Sequence, residues 1–107
     1  MLKPGDVVIA IFAYSDLTGT KTRPALVVST ESFNQETRLT VLAMISSKQV
    51  RNRYEANIAE WRNAGLRFPS KVCLGKLITI NANLVKPIGR LSENDLGVLS
   101  KINKVIA

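Results

Sequence analysis

Arginines such as Arg23, set directly before Pro24, and hydroxyls such as those of the serine pair Ser46-Ser47 at the end of an apolar run are residue types able to handle a phosphate group. A guanidinium offers paired N–H donors that match phosphate oxygens and stays charged at any cellular pH, and a serine hydroxyl can donate to the same oxygens. The chain around them is strongly basic, with fifteen Lys and Arg against eight Asp and Glu and a net charge of +7 over 107 residues. The stretch from 48 to 76 concentrates this charge: Lys48, Arg51, Arg53, Arg62, Arg67, Lys71 and Lys76 stand against only Glu55 and Glu60. A field of that sign attracts polyanions, although a basic run alone carries no base-reading information and also suits an acidic protein partner.

Composition removes several other chemistries. There is no histidine, and Cys73 is alone in an apolar stretch. An internal disulfide is therefore impossible, the usual zinc and transition-metal ligands are missing, and a buried, unreactive thiol is the expectation for Cys73. No dedicated metal site and no cofactor are expected. The longest apolar run, Val7 to Tyr14, is far short of the ~20 residues of a membrane span, and no basic-then-apolar leader precedes it, so a cytoplasmic protein is expected. The length suits a single domain over residues 1–107.

The elements that must position these residues are mostly short strands. Val7 to Phe12 is β-branched and follows Pro4-Gly5-Asp6, and Ala25 to Ser29 starts directly after Pro24, where a missing N–H is best tolerated. The polar segment Ser15 to Arg23 between them reads as a long loop able to cover a site. Leu39 to Ile45 predicts a third strand and Tyr54 to Ile58 a fourth. Ala59 to Ala64 predicts a helical turn ended by a left-handed Gly65. Val72 to Leu74, Leu77 to Ile80 and Leu84 to Ile88 complete the strands, with Gly75, Asn81 and Asn83 at bulges or turns. At the end, Ser92 and Asp95 have the spacing of a capping box, ahead of a helix with Leu96, Leu99, Ile102 and Ile106 on one face. The sum is a mainly β, α+β fold: a small curled antiparallel sheet with flanking helices.

Four stretches, in this order and spacing, carry a family resemblance: Lys3-Pro4-Gly5-Asp6-Val7-Val8, Lys21-Thr22-Arg23-Pro24-Ala25-Leu26-Val27-Val28, Ala43-Met44-Ile45-Ser46-Ser47 and Ile88-Gly89-Arg90-Leu91-Ser92. The chain resembles the PemK/MazF toxins of type II toxin-antitoxin systems over nearly its whole length. The resemblance implies an SH3-like antiparallel barrel with a C-terminal helix, a homodimer, and a metal-independent, ribosome-independent endoribonuclease that cuts single-stranded RNA and mRNA. It also implies a cognate antitoxin of the PemI/MazE kind, whose acidic, disordered tail crosses the RNA site.

On that resemblance Arg23 occupies the position of the family's catalytic arginine, and Ser46 that of its usual threonine, with Ser47 able to substitute. Lys21, Lys48, Arg51, Arg53, Lys76 and Thr79 are the candidate RNA contacts. Each has a plainer reading: Arg23 as a solvated loop residue, the serines as a strand end and turn, the cations as a solvated surface. Trp61 suits core packing better than base stacking. Some family members carry an arginine and an aspartate where this sequence has Ile78 and Asn81, so proton transfer is unassigned, with Lys76 the nearest substitute. Two other functions stay open. One is a CcdB-like DNA gyrase poison, ranked lower because Val105-Ile106-Ala107 lacks that group's terminal tryptophan; the other is a non-catalytic nucleic-acid-binding barrel.

Overall fold

The computed structural model describes residues 1–13 and 19–106. Six strands form one antiparallel sheet: β1 (Asp6–Ala13), β2 (Thr20–Val27), β3 (Leu39–Ser46), β4 (Glu55–Asn57), β5 (Lys71–Asn81) and β6 (Val85–Arg90). Their order across the sheet is β4-β5-β3-β2-β1-β6. A helix, α1 (Glu31–Thr37), connects β2 to β3, and a short α2 (Asn103–Ile106) ends the described chain.

The connection from β5 to β6 forces this sheet to curl. These strands stand four places apart in the sheet, which in a flat sheet is roughly 19 Å at ~4.8 Å per strand. Only Ala82–Leu84 joins them, as a 3-10 turn, and at ~2 Å rise per residue such a link spans far less than that. The sheet therefore closes on itself as a small barrel. The bend is located in β5, whose register against β3 jumps from Ala43↔Leu77 to Met44↔Cys73 and leaves Leu74, Gly75 and Lys76 as extra residues. The first half of β5 carries β4, and the second half turns toward closure.

Period-two alternation then builds two cores. Val8, Ala10, Ala25, Val27 and Leu42 point into the barrel, with Ile78, Ile80 and Val85 packed on them. Val7, Leu26, Ala43, Ile45, Val72 and Leu74 point to the other face, where Ile58, Ala64, Leu66, Leu91 and Val98 cover them. At about 1.5–3 kcal/mol for each fully buried Val or Leu, these two layers are the principal stabilising contribution. The early and late parts of the chain are stitched together as well: β1 pairs with β6, the Leu91 N–H donates to the Gly5 carbonyl at 2.9 Å, and Arg90 bridges Asp6 at 3.0 Å.

Several sequence expectations need correction. β2 begins at Thr20, so Arg23 lies within a strand and Pro24 sits inside it rather than at its start; residues 15–18 of the expected loop lie outside the described residues. Helix α1 was not anticipated. Thr30 caps it by accepting from the Phe33 N–H at 3.2 Å, and Arg38 ends it in the left-handed region at φ 61°. The C-terminal helix is mostly 3-10, over Leu96–Ile102.

The capping box does not form, because Asp95 is engaged elsewhere. Its two carboxylate oxygens accept from the Ala59 and Glu60 N–H groups, each at 2.9 Å. Ser92 donates chiefly to Glu60, its contact with Asp95 being longer at 3.4 Å. Leu96, Leu99 and Ile102 do pack on the core, but Val98 is the residue buried there and Ile106 stays exposed. Ala59 to Gly65 forms turns, with Gly65 in the expected left-handed region at φ 86°.

Candidate active site

The site forms where two neighbouring strands part. β2 and β3 pair at Val27↔Leu42, Leu26↔Ala43 and Ala25↔Met44. The same register would next bring Pro24 to Ile45 and Arg23 to Ser46. Pro24 has no N–H to give to a ladder, and the pairing stops there. Arg23 and Ser46 thus stand just beyond the last β2–β3 pair, at a gap in the ladder.

That gap is one side of a cleft of about 650 Å³, within the size range of ligand sites. β1 and β2 supply Ile9, Thr22, Arg23 and Pro24; the end of β3 supplies Ile45, Ser46, Ser47 and Lys48. The opposite wall is the loop of Gly65, Leu66, Arg67, Phe68 and Ser70, with Ile88 of β6 beneath it. Among the described residues, three cations, Arg23, Lys48 and Arg67, line it, and no carboxylate does. The Ser46 hydroxyl oxygen accepts from the Lys48 N–H at 3.1 Å, which fixes the turn out of β3 and leaves the hydroxyl proton free to donate into the cleft. Both readings of Ser46, strand end and phosphate donor, are therefore compatible. A smaller groove of about 390 Å³ adjoins, sharing Ser47, Lys48 and Ser70 and reaching Asn57 and Trp61.

Of the residues singled out in the sequence, Arg23, Ser46, Ser47 and Lys48 come together. Lys21 is exposed on β2 two residues before Arg23, outside the cleft lining. Arg51 and Arg53 lie on the exposed segment before β4, where the Arg53 guanidinium donates to the Tyr54 hydroxyl at 2.7 Å and sits over its ring. Lys76 and Thr79 are exposed on β5, Lys76 in the bulge and Thr79 beyond it opposite Val41. Neither Lys76 nor Thr79 lines the cleft.

Lys71 is a clear correction to the expected basic track. It is buried, and its ammonium donates to Glu55 and to the Gln49 carbonyl, each at 2.7 Å. Glu55 in turn accepts from the Arg51 N–H at 2.7 Å, so this pair ties down the loop that follows Lys48. The hydrogen bond from Lys71, reinforced by the Arg51 N–H, holds the Glu55 carboxyl below its ordinary pKa. Burial pushes the Cys73 thiol the other way, above its ordinary value, and Cys73 is buried as expected.

Ile78 and Asn81 hold structural posts, Ile78 against the barrel core and Asn81 accepting from the Asn83 N–H at 2.8 Å. Trp61 packs on the outer core, with the Arg62 guanidinium 4.8 Å from its ring centroid. Arg67 and Phe68 form much of the second wall. Arg67 was legible only as one charge in a run, and Phe68 carried no signal beyond its place next to Pro69.

The model of the PemK-like, MazF-like toxins of type II toxin-antitoxin systems matches residues 3–106. No curated protein matches the chain by sequence. Among solved structures, the chain is similar to an endoribonuclease in complex with its cognate antitoxin from Mycobacterial species, with 12% identity, a TM-score of 0.81, and coverage of 99% of this chain and 95% of that one. It is similar to MazE-MazF from Deinococcus radiodurans at 17% identity and TM-score 0.79, covering 98% and 95%. It also resembles the Mycobacterium tuberculosis toxin MazF-mt6 at 22% identity and TM-score 0.72, covering 96% and 95%. At such identities the structural likenesses speak to the fold. The family match spans the segments that supply both walls of the cleft, and on it the chain belongs to the PemK-like, MazF-like toxins of type II toxin-antitoxin systems.

Proposed function

We propose that the chain is a metal-independent, ribosome-independent endoribonuclease that cuts single-stranded RNA, mRNA included, and thereby inhibits translation. The observation that carries this reading is the placing of Arg23 and Ser46 on one cleft at the parted end of β2 and β3, where the described lining residues include cations and hydroxyls and no carboxylate. Its likeness to an endoribonuclease of known structure adds support.

The reaction needs no group beyond those of RNA and solvent. The 2′-oxygen attacks the adjacent phosphorus, the bond from phosphorus to the 5′-oxygen breaks, and the 2′-hydroxyl proton leaves while the 5′-oxygen gains one. The products are a 2′,3′-cyclic phosphate and a 5′-hydroxyl. Negative charge gathers on the phosphoryl oxygens on the way, and donors already aimed at that position stabilise it. Arg23 takes this role with Ser46, Ser47 serves as the neighbouring donor, and Lys48 holds the strand. Lys21, Arg51, Arg53, Lys76 and Thr79, outside the cleft, are flanking RNA contacts. The working form is a cytoplasmic homodimer, and a cognate antitoxin of the MazE kind lays an acidic tail across the same cleft; the complexes formed by similar folds support that partner.

The test is purified protein with long single-stranded RNA in EDTA. Cleavage persists in the chelator, leaves cyclic-phosphate or 3′-phosphate ends, and falls about 100- to 1000-fold in Arg23→Ala, the loss typical of one transition-state donor. RNA that is bound but left intact by the parent protein would overturn the enzymatic reading in favour of a binding barrel.

A further inference from the structure

Phe68 is 64% exposed, more than any other large apolar residue among the described ones except Met1 and Ile106. Those two lie next to the ends of the sequence, whereas Phe68 lies in the wall of the cleft. Its loop is held from several sides. Leu66, two residues before, is buried in the outer core; Pro69 follows; and the Ser70 hydroxyl donates to the Phe68 carbonyl at 2.7 Å. The ring is thus presented to solvent by a pinned loop, with apolar surface left in water that folding did not remove.

Its surroundings define what would cover it. Arg67 is its neighbour in the chain, and Arg23 and Lys48 line the same cleft, with no acidic residue among the described lining residues. The matching ligand carries negative charge at a regular spacing and a flat apolar face beside each charge. An unpaired nucleotide strand has both, and exposed aromatic rings are the usual platforms on which its bases stack.

We propose that Phe68 is the stacking platform for one base of the bound RNA, next to the phosphate held by Arg23 and Ser46, an inference that rests on the RNA reading above. It makes Phe68 a binding residue that holds the base beside the cut through stacking rather than edge hydrogen bonds. Phe68 has no part in the chemical step.

The experiment uses an RNA sequence that the parent protein cuts, made resistant by a 2′-O-methyl group at the cut, and a set of the same RNA with one abasic position each. Phe68→Ala weakens binding about 5- to 150-fold, the equivalent of ~1–3 kcal/mol for one stacked base. Phe68→Trp retains affinity, and Phe68→Leu falls with Ala. One abasic position costs the parent protein the same factor and costs Phe68→Ala nothing further. Equal affinity of Phe68→Ala and parent, or of Leu and Trp variants, overturns the inference. So does a change of sedimentation or antitoxin affinity with RNA affinity untouched, which would assign the ring to a protein interface. A parent protein that neither binds nor cuts RNA defeats the function itself; one that does both, with Phe68→Ala unchanged, defeats only this inference.

Discussion

Replacing Gly65 by alanine tests how the second wall of the cleft is held. The turn ending at Gly65 crosses β6 backbone against backbone: a methyl group on Gly65 would lie 2.3 Å from the Ile88 carbonyl oxygen, and one on Gly89 would lie 2.2 Å from the Ala64 carbonyl oxygen. Neither contact can exist, so the two segments must separate, at about 1–3 kcal/mol for forced displacement in a packed region. Gly65 is also held at φ +86°, which adds about 1–2 kcal/mol for a residue with a side chain. Gly65→Ala is therefore expected to lose about 2–5 kcal/mol and Gly89→Ala about 1–3 kcal/mol. One separation relieves both clashes, so the double variant loses less than the sum of the two. Gly75→Ala is the control, since nothing lies within 4 Å of its added methyl, and it stays within about 1 kcal/mol of the parent. Urea titration reads the midpoints; in a thermal melt Gly65→Ala drops at least about 8 °C. Coincident melting of Gly65→Ala and Gly75→Ala, or strict additivity of the two close glycines, would refute the reasoning.

Asp95→Ala leaves the Ala59 and Glu60 N–H groups without their acceptors and is expected to cost about 1–3 kcal/mol; Asp95→Asn, keeping one acceptor oxygen, costs less, and an unchanged urea midpoint in both would contradict the role. The Glu55 carboxyl is held below its ordinary value of 4.5. The stability it contributes is therefore complete above that pH and is lost as pH falls through the lowered value. Glu55→Gln should flatten the fall in stability below about pH 4.5 relative to the parent, and parallel pH curves would argue against the pair. Cys73 is buried, with its thiol pushed up, so a neutral-pH thiol reagent should label it slowly in the native protein and rapidly in urea. Fast native labelling would contradict its burial.

The strands were legible because alternation and β-branching are local signals: Val7 to Phe12, Leu39 to Ile45 and the Gly75 bulge all stand where the residue pattern puts them. The extension of β2 through Pro24 was not, since proline argues against a strand interior and only pairing with β1 on the other side sustains it. Helix α1 hides in a polar segment whose one buried residue is Asn34, so it shows no apolar stripe. Ser92 and Asp95 illustrate a local motif overridden by a distant need, the orphan N–H groups at Ala59 and Glu60. In the site, Arg23 and Ser46 are marked only by the family resemblance, and they share a cleft where the pairing of β2 with β3 has ended. Lys71 looked like surface charge because its partner Glu55 lies 16 residues away in sequence and adjoins it only through the β4–β5 pairing.

The stitching of β1 to β6 has a consequence for how such a chain is made. Ile88, which underlies the cleft, belongs to the last strand to be synthesised, and the turn bearing Arg67 and Phe68 is locked against that same strand. A nascent polypeptide still holding β6 inside the ribosomal exit tunnel can display Arg23 and Ser46 but has no floor beneath them and no opposing wall. The furrow comes into being only when β6 has left the tunnel and paired with β1.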